Sequence, residues 1–232
     1  MAIVGDVHGR ADLLDRLLAE VDARLRGMAG PAPVLVFVGD YVDRGEDSAA
    51  VLARVRALDA RDDVVCLLGN HEEMMLEFLA APEEAGARWL RHGGLQTLAS
   101  FGAGAGLSEQ GGPPEALAAA RDRLQAALGE DTARWLWARP RLWRSGNLAV
   151  VHAGASPNRP LEAQDPSALT WGHRAFLSQP RTDGIWVAHG HTIVEDPAAA
   201  DGRIAVDTGA YATGRLTAAL VAPDGRVEFL TT

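Results

Sequence analysis

The sequence predicts an α/β fold, and three observations carry that prediction. Its first third alternates strand-like and helical segments, its last third holds five more strand-like runs, and a helical stretch lies between. "AIVG" is a short apolar strand leading into residues 10–26, where Leu13, Leu14, Leu17, Leu18, Val21 and Leu25 mark one helical face. "VLVFV" is a continuous apolar run, the pattern of a strand covered on both sides. Ser48 is placed to cap the next helix, with Val51, Leu52, Val55 and Leu58 facing inward. "VVCLL" completes a βαβαβ order, which puts functional loops at the carboxyl ends of the strands. The first strand starts directly after Met1, so either the native product begins earlier or this is a shortened edge.

From about Met74 to Leu142 the chain is rich in Ala, Leu, Arg and Trp, interrupted by "GAGAG" and "GGPP". This reads as a helical insertion over the sheet within a single domain, residues 1–232, with Trp89, Trp135, Trp137 and Trp143 as its core. After it come "NLAVVHAG", "IWVAHGH", "RIAVDTGA", "LTAALVA" and "RVEFL", the last two flanking "PDG", a hairpin turn signal.

A formal net charge of −9 argues against a nucleic-acid-coating surface or a polybasic membrane patch. No apolar run is long enough to span a bilayer, and no leader precedes the first strand, so a cytoplasmic location is expected. The one cysteine, Cys66, excludes an internal disulfide and reads as a core hydrophobe.

The strand ends carry the chemistry. Asp6 and His8 lie in "GDVHG", Asp40, Asp43 and Arg44 in "GDYVDRG", and Asn70, His71 and Glu72 in "GNHE". "VHAG" adds His152, and "HGHT" adds His189 and His191. Each signature alone fits a turn or a cap. Together they deliver carboxylate, imidazole and amide oxygen to one rim, a donor mix suited to divalent ions such as Mn²⁺, Fe or Zn²⁺.

In these motifs, GDxHG, GDxxDRG, GNHE, HAG and GHT, the chain resembles the calcineurin-like metallophosphoesterases, most closely the bacterial PPP-type serine/threonine protein phosphatases. The resemblance implies a four-layer α/β/β/α sandwich holding two divalent metal ions, most simply Mn²⁺. It implies Asp6, His8 and Asp40 on the first metal, with Asp40 bridging to a second that also takes Asn70, His152 and His191. It further implies in-line attack by a water shared between the metals, His71 protonating the leaving oxygen, Asp43 orienting His71, and Arg44 and Asn70 contacting phosphate.

Some positions depart from the family pattern. The second phosphate-binding arginine is expected two residues after a tryptophan, but "WGHR" places His173 there and Arg174 one residue later; Arg174 is the candidate. His191, in "GHT", is the expected ligand, leaving His189 as a neighbour or strand packing. His92 reads as a helix-end residue, Tyr211 as a possible lining of the substrate mouth, and Asp207 as a turn residue or a support for the ligands. Glu72 and Glu73 open a helix and receive no catalytic role.

The expected activity is therefore a metal-dependent phosphatase acting on phosphoserine or phosphothreonine in proteins, or on small phosphoesters. The alternative is a symmetrical dinucleoside tetraphosphatase. Those relatives usually lack the acid at the Asp43 position and carry GNHD, which places them second. A noncatalytic phosphoprotein-binding module is the third reading.

Overall fold

The computed structural model describes residues 1–26 and 33–232. In chain order the first elements are Ala2–Val4 (β1), Ala11–Arg26 (α1), Leu35–Phe37 (β2), Ser48–Leu58 (α2) and Val64–Cys66 (β3). The helical stretch comprises Asn70–Ala80 (α3), Pro82–Trp89 (α4), a kinked turn at Leu90–Gly94, Leu95–Ser100 (α5), Pro114–Leu128 (α6) and Glu130–Trp137 (α7). Then follow Leu142–Ser145 (β4), Leu148–Val151 (β5), Pro166–Trp171 (α8), Trp186–His189 (β6), Ala198–Ala200 (β7) and Arg203–Ala205 (β8). Ala210–Thr213 (α9), Thr217–Val221 (β9) and Val227–Thr231 (β10) complete the order.

The strands form two five-stranded sheets, ordered β10-β9-β1-β2-β3 and β4-β5-β6-β8-β7. Within the first, β1, β2 and β3 are parallel, with Ile3 opposite Val36 and Val36 opposite Val65. Within the second, β5, β6 and β8 are parallel, with Val150 opposite Ala188 and Ala188 opposite Ile204. Alternation along each strand sorts side chains by layer. Ile3, Val36, Val150, Ala188 and Ile204 fill the space between the sheets. Ala2, Val4, Leu35 and Phe37 face the other way, into a cluster with Leu14 and Leu17 of α1 and Val51 and Val55 of α2. Val151 and Val187 point outward from the second sheet onto Leu169 of α8 and Phe176. The result is helix, sheet, sheet and a thinner helical cover, as expected. Each Leu buried in these layers contributes about 1.5–3 kcal/mol.

Leu117, Ala120, Leu124, Leu128 and Leu136 of α6 and α7 join the same cluster as β1–β3. The tryptophans do not all form the core of this stretch. Trp89 is fully buried, but Trp137 is 64% exposed. Trp135 is half-buried and donates to Asp59, and Trp143 packs beside the inter-sheet cluster.

Several local expectations are corrected. β1 is a central strand, not an edge. Ser48 does not cap α2: its hydroxyl turns inward to Thr97 and accepts from the Asp43 amide. The hairpin at "PDG" forms as expected between β9 and β10. A second hairpin, β4 to β5, has no apolar alternation to announce it, since Arg144 and Ser145 are exposed. β7 is an exposed run of three alanines with equally little signal. Among the described residues no helix is long and apolar enough to cross a membrane.

Candidate active site

The parallel strands of both sheets end at one rim. β1 leads to Asp6 and His8, β2 to Asp40, β3 to Asn70, β5 to His152, β6 to His191 and β8 to Asp207. Leaving a strand toward this rim takes a sharp turn. His8, Asp40, Asp43, Arg44 and His191 all adopt left-handed backbone, with φ from 44° to 73°. That conformation costs a non-glycine residue about 1–2 kcal/mol, so the surrounding contacts hold stored strain here. Gly190 must be glycine, because a Cβ would fall 1.9 Å from Asp6 Oδ1.

Asp40 joins two groups of donor atoms, each gathered within 4.8 Å: His8, Asp40 and His71, and Asp40, His152 and His191. Its Oδ2 lies 3.5 Å from His8 Nε2, and its Oδ1 lies 3.4 Å from His152 Nε2. The outer nitrogens of these rings are committed elsewhere. His8 Nδ1 donates to the Val42 carbonyl at 2.8 Å, and His152 Nδ1 donates to the Val38 carbonyl at 3.1 Å. Burial favours the neutral rings, lowering His8 to about 3 and moving His152 down as well. Burial and the neighbouring His152 likewise bring His191 to about 4. Each neutral ring of His8 and His152 therefore turns an Nε2 lone pair toward Asp40.

Asn70 Oδ1 sits 2.8 Å from His152 Nε2 and 2.8 Å from His191 Nδ1. An amide oxygen against an imidazole lone pair, with a carboxylate beside both, is a donor set that a cation completes. Asp6 adds to this demand. It is buried, and burial followed by the charges of Asp207 and Asp40 pushes its carboxyl well above the usual range. The residues fit divalent ions, with one Asp40 oxygen directed to each group. Asp6 stands beside these groups rather than within them, its carboxylate accepting the His191 amide at 3.0 Å.

Next to this centre lies a buried acid–base pair. His71 Nδ1 donates to Asp43 Oδ2 at 2.7 Å, and both side chains are buried. Burial alone would lower the His71 pKa, but Asp40 and Asp43 outweigh it, and the net shift is upward. Asp43 forms no ion pair with Arg44. Its carboxylate instead accepts Trp89 Nε1 at 2.9 Å and the Thr97 hydroxyl at 2.6 Å. The Arg44 guanidinium packs 4.6 Å over the Tyr211 ring, which meets His8 edge-on at 5.4 Å. Among the described residues that guanidinium makes no hydrogen bond, so its planar fork is available to an anion.

Three residues in this arrangement were not assigned a site role from sequence: Glu72, Trp89 and Thr97. Glu72 is buried and its carboxylate accepts from the amides of Asp40 (2.8 Å), Tyr41 (2.7 Å), Val42 (3.2 Å) and Gly69 (3.0 Å). It clamps the Asp40 turn to the start of α3. Its bond to the Gly69 amide is one half of a capping box, and Gly69 has no side chain to return the other half. Trp89 and Thr97 come from the helical stretch, where no local motif marks them.

Not every predicted residue joins the site. Arg174 is exposed on the loop after α8, and among the described residues no contact ties it to the cluster. His173 accepts a local amide and lines a polar groove with Ser156, Arg159 and Asp165. His189 and His191 do not form a two-histidine clip. β6 ends at His189, whose ring packs on Phe176 at 4.9 Å on the outer face of the sheet. The left-handed turn at His191 then carries its ring to the opposite side, onto Asn70.

The geometry agrees with the comparisons to known proteins. A symmetrical bis(5'-nucleosyl)-tetraphosphatase of Ralstonia nicotianae is 30% identical over 96% of this chain and 90% of its own. A zinc-dependent endopolyphosphatase of Saccharomyces cerevisiae is 32% identical over 42% of this chain, which spans only 28% of that protein. A crystal structure provisionally described as a diadenosine tetraphosphatase superposes with a TM-score of 0.65 at 22% identity, covering 99% of this chain and 92% of the other. The model of the calcineurin-like phosphoesterase family matches residues 1–195. With its fold and its rim of Asp, Asn and His donors, this chain belongs to the calcineurin-like phosphoesterases.

Proposed function

We propose that the protein is a divalent-metal-dependent hydrolase that splits dinucleoside tetraphosphates symmetrically, into two nucleoside diphosphates. The observation that carries this reading is the similarity to the Ralstonia tetraphosphatase, which extends over nearly the whole of both chains. Asp40 with His8, Asn70, His152 and His191, and with Asp6 alongside, would hold divalent ions, which when bound would acidify a water and offset the phosphoryl charge. Arg44 fixes the non-bridging oxygens of the phosphoryl group under attack. His71, held by Asp43, gives its proton to the bridging oxygen as the bond to phosphorus breaks. Asp43 then stabilises neither product directly; it keeps the His71 ring oriented through Nδ1.

One observation supports a second reading, hydrolysis of phosphoserine or phosphothreonine. The buried Asp43–His71 pair is suited to protonating a poor alkoxide leaving group, the demand a phosphomonoester makes.

Metal-stripped protein reloaded with Mn²⁺ separates the two. Diadenosine tetraphosphate should be cleaved to ADP with kcat/KM about tenfold or more above that for p-nitrophenyl phosphate or a phosphothreonine peptide. Preference for the peptide would replace the first reading with the second.

A further inference from the structure

The segment from Trp89 to Gly94 reaches the catalytic groups at three points. Trp89 donates to Asp43, as above. Gly93 accepts the Arg44 amide at 3.3 Å and has φ of 103°, and a Cβ there would lie 2.6 Å from that nitrogen. Between them, the His92 ring stands edge-on to His71 with centroids 6.5 Å apart. The segment is a kink between α4 and α5, broken by the non-helical backbone of Gly93.

The rings lie in sequence. His8, in the Asp40 donor group, is 4.6 Å from His71, and His92 follows His71 on the side of the insertion. His71 serves the leaving oxygen, so the next atoms of the leaving group extend past it toward His92. His92 is exposed, unlike His71, and its Nδ1 donates to the Arg88 carbonyl at 2.8 Å. That bond orients the ring and leaves Nε2 as its free nitrogen. The chain contains no lysine, so its fixed side-chain cations are all arginines. Exposed Arg91 precedes His92 in the chain, and the Arg44 amide is tied to the Gly93 carbonyl while its guanidinium lies over Tyr211.

We propose that His92 binds the leaving-group phosphate of a phosphoanhydride substrate and so biases the site toward polyphosphate substrates over simple monoesters. This rests on the dinucleoside polyphosphate reading above. A monoester leaves as an alcohol and offers His92 nothing, whereas a nucleoside diphosphate leaving group places an anionic phosphate there.

The test compares wild type, His92→Ala and His92→Gln, loaded with Mn²⁺, on diadenosine tetraphosphate and on p-nitrophenyl phosphate. His92→Ala should lower kcat/KM for the tetraphosphate about tenfold more than for the monoester, chiefly through KM. His92→Gln, which retains a donor, should recover much of that ratio. Equal losses on both substrates, or no loss on either, would overturn the assignment. Wild type that cleaves the monoester but not the tetraphosphate would overturn the underlying reading, and that result is visible before any substitution is made.

Discussion

Replacing His71 with asparagine lowers turnover of diadenosine tetraphosphate by about 10²–10⁴, the usual contribution of a positioned general acid. In its proposed role His71 acts on the leaving oxygen rather than on ground-state binding, so the loss should fall on kcat. The loss on p-nitrophenyl phosphate is of the same order, since its phenolate and a nucleoside diphosphate are leaving groups of comparable basicity, and it is larger on a phosphothreonine peptide, whose alkoxide needs the proton most. Asp43→Asn produces an intermediate loss, since the ring keeps a hydrogen-bond partner but not the charge that favours its protonated form. His71 also sits among the donors around Asp40, with Nε2 3.9 Å from Asp40 Oδ2. Metal content of His71→Asn therefore separates the two roles: an acid leaves the metal in place, whereas a ligand takes metal away with it.

The second large effect is on stability. Glu72→Ala strips the acceptor from four buried amides, those of Asp40, Tyr41, Val42 and Gly69. Each orphaned donor costs about 1–3 kcal/mol. Their sum is comparable to the ~5–15 kcal/mol that holds a typical domain folded. The expected result is a cooperative unfolding midpoint lowered by well over ten degrees, or failure to accumulate folded protein, measured by thermal melting followed with circular dichroism. Glu72→Gln, which keeps one acceptor oxygen, should fall between Glu72→Ala and wild type. A melting point unchanged in both variants would mean the clamp contributes nothing beyond its geometry.

How much of this was readable from the chain differs by layer. Asp40, Asn70, His71, His152 and His191 lie in short strand-end motifs where the backbone has little choice, so their convergence follows once the strands are placed. The βαβαβ start was legible because Leu13, Leu14 and Leu17, and "VLVFV", carry strong periodic or continuous apolar patterns. β4 and β7 were not, because their pairing comes from neighbouring strands and not from their own exposed Arg144, Ser145 and alanines. Glu72 looked like an ordinary first-turn acid, and only the fold shows the Asp40 turn wrapped around it. Trp89 and Thr97 are separated from Asp43 by some fifty residues, 46 and 54, and nothing local links them. The "GHT" motif singled out His191 over His189, although two residues spaced in this way would share a face on a continuous strand. The strand stops at His189, and the positive φ at His191 sends the two rings apart. The same limit applies to substrate choice: GNHE and Asp43 pointed toward protein phosphatases, while the relative matched along nearly the whole chain is a tetraphosphatase.

The account turns on Asp40 being shared by two ions, and a metal titration tests that most directly. Stripped wild-type protein should take up two equivalents of Mn²⁺ by calorimetry. Asp40→Asn, verified as folded by near-ultraviolet circular dichroism, should retain neither at micromolar metal, while His189→Ala should retain both. One equivalent in wild type, or two in Asp40→Asn, would contradict the shared site.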